Sequence, residues 1–223
     1  MIKTIALIKR RDDIGRDAFR EHYEDTHAPL ALTYIRSMRR YVRNHVVAEL
    51  NEVAPGFDCA TEFWYPDQAA IQEVFQLLAG PRGEAIRRDE LTFMDKPRNV
   101  FFGVEERSVL GPPRDEPLGE TRKILALVRR RPGDSRRRFL AEYESGALRA
   151  LVESGDPPLR CTQNVVLPAE TDAPYDCATL LWYRSDRGVP ARLRGWSPDA
   201  ARVVVLSVAE FETPSHELAR ESP

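Results

Sequence analysis

Apolar and polar positions follow two rhythms along this chain, and the same succession of rhythms occurs twice. A short apolar run, Thr4 to Lys9, predicts a strand, and Arg11 to Gly15 predicts a turn. Next comes a helical segment with Phe19 and Tyr23 at i, i+4, and Asp17 is placed to cap its start. Period-two alternation returns at Arg40 to Val47 and again at Phe57 to Tyr65, across a turn-rich connection at Glu52 to Gly56. Ile71, Val74, Phe75 and Leu78 then mark a helix over Asp67 to Leu78. A short helix is expected around Arg82 to Glu90 and a last strand at Val100 to Glu105.

The second half repeats the order. Strands are expected at Ile124 to Arg129, Arg160 to Leu167, Tyr175 to Tyr183 and Val203 to Ala209, with Ser135 capping a helix that carries Phe139 and Tyr143. FDCATEFWY (Phe57 to Tyr65) returns as YDCATLLWY (Tyr175 to Tyr183), and KTIALIKRR (Lys3 to Arg11) as KILALVRRR (Lys123 to Arg131). Arg40 and Asn44 return as Arg160 and Asn164, so the chain is a tandem duplication. Its second helix in copy two, Ser185 to Ala200, carries Gly188, Pro190, Gly195 and Pro198 and is expected to be short or broken.

The order is β-α-β-β-α-β twice, an α+β chain on the ferredoxin-like plan. Each sheet has helices on one face, and both faces of Phe57 to Tyr65 are buriable. Packing the two sheets against each other buries the second face and gives a pseudo-twofold barrel. The expected boundaries are 1–108 for the first repeat, 109–121 for a Pro/Gly-rich linker, 122–213 for the second repeat and 214–223 for a tail.

Composition narrows the partners. With 33 basic and 35 acidic residues in 223, the net charge of −2 gives no field favouring nucleic acid or an anionic membrane. No apolar run has the length of a membrane span, and Ile5 to Ile8 is too short for a signal peptide. Cys59, Cys161 and Cys177 form no CxxC and are read as buried thiols of a cytoplasmic protein. The arginines at 129–131 and 136–138 lack interleaved aromatics and are read as solvated surface.

The copies differ where proton chemistry could reside. His22, His27 and His45 are replaced by Glu142, Ala147 and Val165, and Glu62 by Leu180. At about 100° per residue, His22 and His27 flank opposite edges of the Phe19/Tyr23 stripe. Pro29 requires a bend or break near Thr26. Tyr41, Arg43 and His45 share one face of their strand, a combination suited to proton transfer on a phenolic or carbonyl compound. Plainer readings stand beside this one: a solvated His22, a His27 bonded to backbone, a His45 paired with Glu62, and core-packing roles for Trp64 and Trp182. The five-residue His22/His27 spacing is not a zinc pair, so no metal is expected.

The segments FREHYEDTHAPL (Phe19 to Leu30) and RYVRNHV (Arg40 to Val46) resemble the EthD domain, over about residues 2–106. That resemblance implies a dimeric α+β barrel, here fused into one chain with a degenerate second copy. It further implies a small aromatic or polyketide-like substrate and no cofactor. His27, His45, His22, Arg43 and Tyr41 are then the catalytic candidates, and Glu62, Trp64 and Tyr23 the substrate-binding ones. The leading expectation is a lyase or isomerase (decarboxylase, dehydratase or cyclase), with His27 as base, His45 as acid, and Arg43 and Tyr41 stabilising an anion. The alternatives are a non-catalytic binding protein, a haem protein and a cofactor-free monooxygenase. The expected state is a monomeric pseudo-dimer or a homodimer of it.

Overall fold

The computed structural model describes residues 1–187, 189–194, 196, 198–200 and 202–218. The expected breaks at Gly188 and Gly195, and the end of the tail, lie outside the described residues. The first half runs β1 (Ile2–Ile8), α1 (Arg16–His22), a π-helical turn (Tyr23–His27), α2 (Ala28–Tyr34), β2 (Arg40–Glu49), β3 (Cys59–Tyr65), α3 (Gln68–Ala79), α4 (Glu84–Phe93) and β4 (Val100–Leu110). The second runs β5 (Thr121–Arg129), α5 (Arg136–Glu142), a π turn (Tyr143–Leu148), α6 (Arg149–Val152), β6 (Arg160–Val166), β7 (Cys177–Arg184), α7 (Ala191–Arg194), β8 (Arg202–Glu212) and α8 (Ser215–Leu218).

The fold is α+β, with strands hydrogen-bonded in the order β1-β3-β2-β8-β5-β7-β6-β4 as a closed barrel. By compactness the chain divides into Met1–Val46, Gly56–Gly103 and Glu210–Pro223 as one unit, and Val47–Pro55 with Val104–Ala209 as the other. The last strand of each repeat is longer than its apolar run suggested. In β4 the strand expected at Val100 to Glu105 runs on to Leu110, because Glu106, Arg107 and Ser108 pair with Asn164, Gln163 and Thr162 of β6. The turn after β4 needs its glycine: Gly111 has φ +85°, and a Cβ there would lie 2.1 Å from the Leu159 carbonyl oxygen.

The repeated Asp-Cys-Ala-Thr block has the same structural use in each unit. In the first, Asp58 accepts from the Arg10 amide (3.2 Å) and pairs with Lys9 (2.8 Å) and Arg16 (3.2 Å), tying β3 to the turn after β1. Cys59 is fully buried, the Ala60 carbonyl accepts from Asn44 Nδ2 at 2.8 Å, and Thr61 Oγ1 meets the Tyr23 hydroxyl at 3.0 Å. In the second, Asp176 accepts from the Arg130 amide, Ala178 from Asn164, and Thr179 meets Tyr143 at 2.9 Å. These bonds seat helix on sheet and fix strand register, which accounts for a motif that survived duplication.

The cores of the two units differ around that tyrosine. Tyr23 is surrounded by Phe19, Phe93, His27 and His45. Tyr143 instead packs against Phe139 and, edge-on at 5.9 Å, Trp196. Phe19 is 1% exposed and contacts the Tyr23, His45 and Phe93 rings, so truncating it leaves a cavity at the helix–sheet joint. Phe19→Ala is expected to destabilise the protein by about 3–5 kcal/mol, read from urea denaturation at constant m.

Candidate active site

The site begins with the π turn. Its backbone closes i→i+5, with the Ala28 amide bonded to the Tyr23 carbonyl. Residues five apart therefore come close to stacking, whereas in a straight α-helix they diverge. His22 and His27 are brought to one side and share a carboxylate: His22 Nε2 lies 2.8 Å from Asp89 Oδ1, and His27 Nδ1 lies 2.8 Å from Asp89 Oδ2. The expectation that they flank opposite edges of the helix assumed uniform α-geometry. Pro29 follows the π turn within one continuous helical run, where it cannot donate an amide to the turn before it, and the winding changes just ahead of it. It is not the sole source of the bend, because the second unit makes its own π turn with Arg149 at the equivalent position.

Asp89 and Phe93 lie one turn apart on α4 and act together. The Phe93 ring packs on His22 (4.6 Å), His27 (5.0 Å) and Tyr23 (5.5 Å). Burial opposes the charge on Asp89, but the hydrogen bonds from His27 and His22 outweigh it and hold the carboxyl below its ordinary pKa. His27 is 5% exposed, whereas the His22 side chain keeps 31% of its surface in solvent.

The His27 ring also lines a cavity of about 210 Å³ between helices and sheet. Tyr23, Tyr41, Phe63, Tyr65 and Phe101 supply its aromatic wall, and Tyr41 and Phe63 are stacked at 5.2 Å. Glu90 and Lys96, which form an ion pair, stand among the lining residues. Burial raises the pKa of both Tyr23 and Tyr41, so each remains a neutral phenol at physiological pH. The volume suits one or two rings rather than a drug-sized ligand, whose pockets start near about 300 Å³.

His45 and Arg43 belong to a second network, on the other side of Tyr23. Glu24, from the π turn, meets His45 Nε2 at 2.6 Å and Arg43 Nη2 at 2.6 Å. Arg43 also donates to Thr213 Oγ1 and lies over the Tyr41 ring, and Phe211 packs edge-on against His45. Tyr23 stands between the imidazoles, 5.2 Å from His27 and 5.4 Å from His45, centre to centre. Arg43 and Glu24 line a separate cleft of about 380 Å³ with Thr213 and Glu217. Among the described residues, neither His45 nor Arg43 is in the wall of the aromatic cavity.

Glu62 and Trp64 lie on the opposite face of β3. Glu62 accepts from Asn44 Nδ2 at 2.9 Å and pairs with Lys3 at 2.6 Å, and the Lys3 ammonium sits 4.1 Å over Trp64. The pairing read for His45 with Glu62 is therefore replaced by His45 with Glu24, because His45 and Glu62 face opposite sides of the sheet. Of the residues singled out, the fold gathers His27, Tyr23 and Tyr41 at the cavity, with His22 behind. It sets Arg43 with His45 apart and Glu62 with Trp64 further away.

Glu24, Asp89 and Phe93 were not read from the sequence. Glu24 has a counterpart in Glu144, so comparison of the copies hides it. Asp89 lies in the stretch that copy two lacks, and that extra length was the available signal. Among the described residues, no group of three His, Cys, Asp or Glu could hold a metal, and no helix is long and apolar enough to cross a membrane.

Residues 11–97 match the family model described as EthD domain. Over that segment the chain is similar to the EthD domain. All the histidines, Glu24 and Asp89 of the two networks fall within the EthD match, and the second repeat lies outside it. A crystallised EthD family protein from Bacillus halodurans is 24% identical, covering 48% of this chain and 100% of that one with a TM-score of 0.35. A candidate monooxygenase from Lactobacillus acidophilus covers 94% of this chain and 93% of its own at 10% identity and a TM-score of 0.50. An anthrone oxidase-like protein covers 95% and 92% at 9% identity and a TM-score of 0.56. These last two share the fold. Among curated proteins none matches the chain in sequence.

Burial works against charge on His45, yet the Cys59 sulfur and the Glu24 carboxylate together push its pKa up to about 9. A pKa raised on folding contributes stability that is full below the unfolded value of about 6.5. That contribution is lost as pH rises through about 9. Melting temperatures recorded from pH 6 to 10 are expected to fall over this window in the wild type. The fall should be smaller in His45→Gln, which has no charge to lose.

Proposed function

We propose that the EthD-like segment of this chain is a proton-transfer enzyme acting on a small aromatic or polyketide-like compound, with His27 as general base. The observation that carries this reading is the place of His27. Its Nδ1 is engaged by a carboxylate, and its ring lines an aromatic-walled cavity of about 210 Å³. An imidazole held in that way has Nε2 left to take a proton from a phenol or from carbon beside a carbonyl. Tyr41, a neutral phenol in the same wall, is suited to donate a hydrogen bond to the resulting anion. Tyr23 contributes shape. Arg43 and His45, cationic beside Glu24, support the cavity from behind Tyr23 and add positive potential.

The anion formed by His27 has several fates. Loss of carbon dioxide or water, or ring closure, makes the protein a lyase or isomerase, and the reading favours these. Reaction with dioxygen makes it a cofactor-free monooxygenase. The names of the candidate monooxygenase and the anthrone oxidase-like protein favour that second fate, although their likeness to this chain is one of fold. The same reading takes each repeat as a ferredoxin-like unit. Residues 1–108 are the working half, 109–121 the linker and 122–213 a degenerate repeat.

The first step is tested with β-tetralone, a two-ring ketone whose acidic carbon exchanges hydrogen for solvent deuterium. Enzyme-dependent exchange, followed by proton NMR, is expected to fall roughly 10²-fold in His27→Ala. Full exchange in that variant would remove His27 as the base. Oxygen uptake measured alongside separates the two fates.

A further inference from the structure

The Asp89 carboxylate hydrogen-bonds both His22 and His27. Each carboxylate oxygen takes one imidazole nitrogen at 2.8 Å, and Asp89 is itself largely buried, with 11% of its side chain exposed. An ionised carboxylate has no proton to give, so both imidazoles must be donors to it. For neutral His27 this leaves one tautomer, with hydrogen on Nδ1 and the lone pair on Nε2. A lone imidazole in water divides between tautomers, and the one protonated at Nε2 could not take a proton there.

His22 completes the arrangement. Its donor Nε2 engages Oδ1, so rotation of the Asp89 carboxyl would break two bonds instead of one. Thr92 Oγ1, 3.4 Å from the same nitrogen, and the Phe93 ring at 4.6 Å hold His22 from the α4 side. The second repeat is an internal comparison. It has Glu142 and Ala147 at the two histidine positions and, between β7 and β8, only the four-residue α7 among its described α-helices. All three members of the arm are missing there together, while the packing residues Phe139, Tyr143 and Thr179 remain.

We infer that Asp89, braced by His22, is the positioning residue that holds His27 in the Nδ1–H tautomer and so makes it a base toward the cavity. The inference rests on the reading of His27 given above. Neither Asp89 nor His22 touches the substrate; both act through His27.

Two measurements test it. Nitrogen-15 NMR of histidine-labelled protein, with the His27 signals assigned by their absence in His27→Gln, reports the tautomer without any substrate. The wild type and His22→Gln, whose amide keeps a donor for Oδ1, are expected to show Nδ1–H at His27. Asp89→Asn, close to isosteric, is expected to show a mixture. An Nε2–H tautomer in the wild type, or an unchanged His27 in Asp89→Asn, overturns the inference.

In the β-tetralone exchange assay, Asp89→Asn is expected to lower kcat about tenfold or more with little change in KM. His22→Ala should fall part of the way and His22→Gln should recover. Undiminished exchange in Asp89→Asn, with His27→Ala inactive, sinks the positioning role and leaves the base standing. Undiminished exchange in His27→Ala sinks the base itself, whatever the tautomer.

Discussion

A tyrosine hydroxyl bonded to a threonine on the sheet sets the position of everything else around the paired histidines of the first unit. Tyr23 reaches Thr61 from the first residue of the π turn, so this bond seats the helix at the point where its winding changes. From that anchor the turn sends Glu24 to one side and His27 to the other, and the phenol ring separates the two networks they enter. The same anchor is present as Tyr143 with Thr179 in the second unit, where no imidazole adjoins it. The joint is thus a property of the fold, and the site is a set of side chains added to one instance of it.

Charge inside the first unit is handled by sharing. Asp89 serves two imidazoles, and Glu24 serves an imidazole and a guanidinium. Burying a carboxylate is costly unless hydrogen bonds replace its water, and two donors to each oxygen pair supply that replacement. Glu144 shows the other solution. With Gln163 and Val165 where Arg43 and His45 would stand, it pairs instead with exposed Arg107.

Much of this was legible in the sequence. Duplication, element order and the shared strand face of Tyr41, Arg43 and His45 followed from period-two alternation and from comparing the copies. What was not legible depends on backbone winding and on distant contacts. A 100° wheel places His22 and His27 on opposite edges, and only the i→i+5 turn brings them together. Their shared partner, Asp89, lies more than sixty residues on, in a helix with no equivalent of the same length against which to compare it. The strand face of Glu62 was readable from the alternation of β3, but its difference between copies drew it toward the histidines, and the geometry separates them.

The end of the chain bears on how the two halves can be parted. Phe211 packs on His45, Thr213 holds Arg43 and donates its amide to the Tyr41 carbonyl, and Leu218 is buried in the first unit's core. Phe211 and Thr213 end the second repeat and Leu218 follows it, yet all three belong to the first unit. A deletion that removes everything after the first repeat therefore also strips away the clasp on Arg43 and His45.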